Sequence, residues 1–152
     1  MSLKPVANPY SGGGCFFCGE KNPIGLKLKF LETESEPREL VCRWQPDQRY
    51  RGLGRVLHGG IQSGLFDEIM GWATHYLLER SGVTGSLHIT FHRPLYIDDP
   101  LELRCRIEGI EGRQVHLSAE ITNPAGEVCT RATGTYVLLP GDKFRELVGP
   151  GD

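Results

Sequence analysis

The residues of this chain best equipped for chemistry stand close together, between His58 and Asp67. His58-Gly59-Gly60 opens a stretch with helical spacing that runs from Gly60 to about Glu79. The glycines therefore sit at a first helical turn, whose free N–H groups and positive dipole end favour developing negative charge. Glycines also let a reacting carbonyl approach the backbone. An oxyanion formed there would meet a preorganised donor, an effect worth roughly 3 kcal/mol. Asp67, nine residues after the histidine, supplies a carboxylate suited to general-base or nucleophilic work. It lies too far along to reach the N-terminus of its own helix easily, but an antiparallel partner helix would bring that terminus to it. The spacing thus suggests a composite site, with donors from one chain and the carboxylate from another.

The helix that must position these groups has two unlike sides. Ile61, Leu65, Phe66, Ile69, Met70, Trp72, Ala73, Tyr76 and Leu77 cover about half of its circumference. Gly60, Ser63, Gly64, Asp67, Gly71 and Thr74 fall along one line opposite. Each glycine costs about 1 kcal/mol relative to alanine in a helix, so the strip implies that another backbone or a slender ligand comes close. Packing between subunits explains the strip as well as a ligand site does, and the two are compatible. Glu68 lies about 100° further round, toward the apolar flank, which leaves Asp67 as the carboxylate on the small strip.

Around this helix the pattern is strand-like. Leu26, Leu28 and Phe30 alternate with Lys27 and Lys29, and Leu40, Cys42 and Trp44 repeat the period. After the helix, which Ser81-Gly82 is expected to stop, four further strands follow. They are marked by Leu87 to Phe91, Leu101 to Ile107, Val115 to Ile121 and Val128 to Leu139. Turn signals at Asp98-Asp99-Pro100, Glu111-Gly112-Arg113 and Asn123-Pro124-Ala125-Gly126-Glu127 predict an antiparallel meander. Two strands, a long helix and four strands make an α+β domain over residues 24–152, the helix wrapped by an antiparallel sheet of about six strands. Residues 1–23 read as an irregular arm.

Composition narrows the function classes. The chain has 152 residues, room for one core, and its 17 basic and 19 acidic residues leave a net charge of −2. No electrostatic footprint for nucleic acid or an anionic membrane is present. No apolar run could span a bilayer and no secretory leader pattern opens the sequence. Five cysteines in that setting predict thiols in a cytoplasmic, reducing compartment. Cys15 and Cys18 have no second Cys-x-x-Cys or His pair to complete a zinc site, and no βαβ unit to make a redox motif. They are expected to let Phe16 and Phe17 pack on the sheet, with no metal or organic cofactor implied. His88 and His92 are too far apart along a strand, about 13 Å, to act as a pair.

The stretch from His58 to Gly71 resembles the signature of hotdog-fold acyl-CoA thioesterases, nearest to the phenylacetate-degradation type, with its His-Gly-Gly and an acid nine residues on. Cys15-x-x-Cys18-Gly19 followed by Asn22-Pro23-x-Gly25-Leu26 resembles that group's opening, and Thr84 stands where related enzymes carry Ser or Thr. The resemblance implies a hotdog fold in a homodimer or dimer of dimers, and hydrolysis of an acyl-CoA thioester to free acid and CoA. By residue, it implies that the Gly59 N–H polarises the thioester carbonyl. Asp67 acts as general base on water or as nucleophile, and Thr84 orients the water or the carboxylate. His58 shapes the loop. Gly60, Ser63, Arg51, Gly52 and Arg93 are substrate-side candidates, the arginines as ligands for CoA phosphates. One departure stands out: relatives carry Asn or Gln six or seven residues before the histidine, where this chain has Gly52 and Arg51. That departure supports an alternative, a catalytically weak acyl-CoA-binding or sensing module. A hotdog hydratase or dehydratase is a third option, for which His58 is less well placed.

Overall fold

A long apolar-faced helix needs a sheet to cover it, and the computed structural model, which describes residues 2–8 and 13–149, has that arrangement. Its elements in chain order are β1 (Leu3–Pro5), β2 (Phe30–Thr33), β3 (Leu40–Trp44), α1 (Gly59–Leu78), β4 (Gly82–Phe91), β5 (Leu101–Glu111), β6 (Gln114–Thr122), β7 (Val128–Leu138) and α2 (Gly141–Val148). The seven strands form one antiparallel sheet in the order β1-β2-β3-β5-β6-β7-β4. On one face of α1 Leu65, Phe66, Ile69 and Met70 are fully buried. They pack in one core with Leu103, Leu117, Ile121 and Tyr136 from the sheet. The opposite sheet face is polar, with Arg104, Arg106, Ser118, Glu120, Arg131 and Thr133 along it. Gln62 of α1 and Thr130 of β7 are buried polar residues. Gln62 donates to the Leu57 carbonyl at 3.1 Å and accepts from the Thr130 hydroxyl at 2.6 Å, so neither is left unsatisfied inside.

The structure corrects the expected layout in four places. The meander holds only for β5-β6-β7. β4 lies beyond β7 at the sheet edge, because residues 92–100 carry the chain across to let β5 pair with β3. Leu26 to Phe30 bury alternate side chains as expected, yet the strand begins only at Phe30. Lys27 has a left-handed backbone (φ 54°), which breaks a ladder. The Leu26 and Leu28 N–H groups instead donate to the Phe16 and Phe17 carbonyls, both at 2.9 Å. The arm is not irregular throughout, since Leu3–Pro5 pairs with β2 as the outermost strand. Finally, α1 ends at a left-handed Glu79 (φ 54°), and Gly82 starts β4 rather than stopping the helix. The short amphipathic α2 was not anticipated from the sequence. Among the described residues no helix is long and apolar enough to cross a membrane.

Candidate active site

The start of α1 is built around His58. Its Nδ1 accepts the Gly60 N–H at 2.8 Å, so the imidazole caps the helix. Ser63 turns its hydroxyl back onto the Gly59 carbonyl at 2.8 Å. The Gly59 N–H donates to nothing among the described residues. The Phe91 ring lies beside it, 3.5 Å from where a Cβ on Gly59 would stand. Behind the histidine, a tight loop closes by the Gly52 N–H donating to Val56 at 2.7 Å and by backbone pairing of Arg51 with Leu57. A Cβ on Gly52 would lie 3.3 Å from His58 Cα. The fold thus gathers Arg51, Gly52, His58, Gly59, Gly60 and Ser63 at one helix end. Arg93 is tied elsewhere, with its guanidinium 3.4 Å from Glu127 in an exposed ion pair.

Asp67 lies two turns further along α1 and is exposed. Its Oδ1 accepts from the Thr84 hydroxyl at 2.5 Å. The Tyr136 hydroxyl is 2.5 Å from both Oδ1 and the Asp67 backbone carbonyl, and its single proton serves one of them at a time. Oδ2 accepts nothing among the described residues. Thr84 reaches Asp67 because β4 is irregular there. The pairing slips between Thr84 and Ser86, a bulge that re-aims the strand. Tyr136 pairs with Thr84 across β4 and β7. Burial, then the hydrogen bond its hydroxyl donates to the Asp67 carboxylate, pushes the tyrosine well above the ordinary phenol range. Sequence reasoning missed Tyr136. Its one signal was an inward position on the alternation of the last strand, which any core tyrosine shares.

The small strip has a different explanation from the one its glycines suggest. At Gly64 a Cβ would overlap the Phe17 ring, with Cε2 at 2.7 Å, and at Gly71 it would meet the Tyr136 ring at 3.7 Å. The close approach at these two positions is therefore by aromatic rings of the same chain. Thr74, at the end of the strip, is buried and bonds the Met70 carbonyl at 3.0 Å. Glu68 faces the arm instead. One carboxylate oxygen accepts from Trp72 Nε1 at 3.2 Å and lies 3.6 Å from Cys15 Sγ. Burial, chiefly, pushes its carboxyl up to about 7. The Cys18 thiol, and with it the Cys18 and Phe17 N–H groups, hold Cys15 below the usual thiol range, while Cys18 is pushed up. All five cysteines are free thiols.

The whole arrangement offers a carboxylate anchored on one oxygen by two hydroxyls, open on the other, and a free helix N-terminal donor about 12 Å away along the same axis. In one chain those two groups cannot flank a single carbonyl.

Comparison with known proteins finds thioesterases. A family model described as the thioesterase superfamily matches residues 54–130. The acyl-coenzyme A thioesterase THEM4 of Bos taurus is 25% identical over 129 residues, 84% of this chain and 52% of that protein. This chain therefore spans about half the length of the curated relatives it matches. Among solved structures, a thioesterase superfamily protein, RHA08564, superposes with a TM-score of 0.75 at 22% identity, covering 84% of this chain and 60% of the other. The E. coli PaaI protein from the phenylacetic acid degradation operon superposes with a TM-score of 0.64 at 18% identity, covering 68% and 74%.

Proposed function

Because the chain belongs to the thioesterase superfamily and has its hotdog fold, we propose that it hydrolyses an acyl-CoA thioester to free acid and CoA at a site shared between two chains. The observation that carries this reading is the pairing of an anchored, half-open Asp67 carboxylate with a Gly59 N–H that has no acceptor among the described residues. The Gly59 N–H of one chain polarises the thioester carbonyl and receives the developing oxyanion. Asp67 of the other takes a proton from water through Oδ2 as the water oxygen attacks the carbonyl carbon. Collapse of the tetrahedral species breaks the C–S bond, and the proton held by Asp67 leaves with the CoA thiolate. Direct attack by Oδ2 breaks the C–S bond, expels the CoA thiolate and gives a mixed anhydride, which water cleaves to the free acid and the Asp67 carboxylate; it uses the same geometry. Thr84 and Tyr136 keep Oδ1 fixed in either route, and His58 holds the Gly59 turn in shape.

A second copy has a natural place to dock. Among the described residues β4 is an edge strand with no partner on its outer side, and Thr84, Ser86, His88 and Thr90 are exposed along it. A homodimer, or a dimer of dimers, is part of this reading. The test is complementation. Asp67→Asn and Gly59→Pro should each lose at least about 10²-fold in turnover alone. In a 1:1 mixture about half of the dimers are mixed and carry one intact site of two, so about a quarter of the wild-type rate returns. No recovery, with mixed dimers demonstrably formed, contradicts the shared site.

A binding or sensing module remains the second reading, because Arg51 and Gly52 present no amide side chain before His58. A thermal shift with CoA esters but no thiol release from any of them would favour it.

A further inference from the structure

We propose that Cys15, Cys18 and Glu68 form a binding site for a thiophilic divalent cation of the zinc class, with two sulfurs, one carboxylate oxygen and an open fourth position. Their ligand atoms all lie within 4.8 Å of one another. The ligand set mixes soft sulfur and oxygen donors of the kind zinc takes. Zinc–sulfur and zinc–oxygen bonds of about 2.3 and 2.0–2.2 Å at a tetrahedral angle put S and O about 3.5–3.7 Å apart. Cys15 Sγ lies 3.6 and 3.9 Å from the two Glu68 oxygens.

The cysteine turn is built as a knuckle. The Gly19 N–H closes the turn on the Cys15 carbonyl at 2.9 Å. Only glycine fits at that position, since a Cβ would collide with the Cys15 backbone. Cys18 is 5% exposed, and Asn8 holds its carbonyl at 3.0 Å. The Trp72 N–H on Glu68 supplies the outer-shell bond that orients a ligating carboxylate. The fourth position opens to a cavity of about 410 Å³ lined by Gly71, Trp72, His75, Tyr76 and Phe144, large enough for water. The third ligand escapes a reading of spacing because it lies on α1, far from the Cys-x-x-Cys pair. This site is distinct from that of Asp67, which lies about 100° round the helix from Glu68 and bonds Thr84 and Tyr136 instead.

The test titrates the full chain, reduced and stripped of metal, with Co²⁺ and then Zn²⁺. Cobalt gives a thiolate-to-metal charge-transfer band and the strong visible bands of a four-coordinate ion, saturating at about one ion per chain, and Zn²⁺ abolishes both. Cys15→Ser and Cys18→Ser each remove about half of the charge-transfer intensity. Glu68→Gln keeps the band and weakens affinity by at least the roughly 10–100-fold that loss of a supporting group costs. The absence of a charge-transfer band with excess Co²⁺ on the wild-type chain overturns the proposal. So does a band that survives in the Cys15→Ser/Cys18→Ser double variant.

Discussion

Gly59→Pro isolates one hydrogen-bond donor. Gly59 is the first residue of α1, a position where proline is preorganised and where its missing N–H breaks no helical bond. His58 stands at φ −58°, ψ 132°, a backbone that tolerates a following proline. The nearest ring atom of Phe91, 3.5 Å from a Cβ on Gly59, is at ordinary contact distance. The N–H that disappears has no acceptor among the described residues, so no hydrogen bond seen in the fold is lost. The transition state loses an oxyanion donor, worth about 3–4 kcal/mol or roughly 10²–10³ in kcat. KM changes little, because the bond strengthens only as charge develops. Thiol release on an acyl-CoA measures this, with the melting temperature as control. Gly59→Ala keeps the N–H and should retain turnover close to wild type. A proline variant with wild-type kcat would refute the reasoning and move the oxyanion elsewhere.

Tyr136→Phe leaves the ring in place and removes a donor to Asp67. It should lower stability by about 1–2 kcal/mol in urea unfolding and kcat by roughly tenfold, and unchanged kinetics would free Asp67 of that support. Gly64→Ala gains helix propensity but drives a Cβ into Phe17. We expect net destabilisation of about 1–3 kcal/mol and faster proteolysis within residues 13–28, reversed by adding Phe17→Ala; equal melting temperatures would contradict it. Burial pushes Glu102 up, but Arg104 and Arg43 outweigh it and hold its carboxyl below the usual range. With the folded pKa below the unfolded one, this contribution is present above an unfolded value near ~4.3 and is lost as pH falls through the folded value. Glu102→Gln should therefore flatten the acid side of the stability profile, by less than about 1 kcal/mol. Superimposable profiles would count against it.

What the sequence made legible follows from local physics. Helix period and strand alternation located α1 and five of the seven strands, because burial imposes those periods on the side chains. The alternation of Leu26 to Phe30 gave burial correctly but not the strand, since Lys27 reverses the backbone while keeping the side-chain pattern. Placing β4 beside β7 needs long-range pairing that no local turn signal records. The contact of Thr84 with Asp67 depends on a bulge, and Tyr136 joins them only through its register opposite Thr84. The glycines of the small strip did mark close approach, but Phe17 comes from an arm whose path over α1 has no sequence period.

The central claim is that the Asp67 carboxylate carries thioester hydrolysis. Its most direct test is thiol release from short, medium, long and aromatic acyl-CoAs by the wild-type chain and Asp67→Asn side by side. The account predicts turnover of at least one ester by the wild type and a loss of about 10²–10⁴ in the variant, with CoA esters still raising its melting temperature. Undiminished turnover by Asp67→Asn would contradict it.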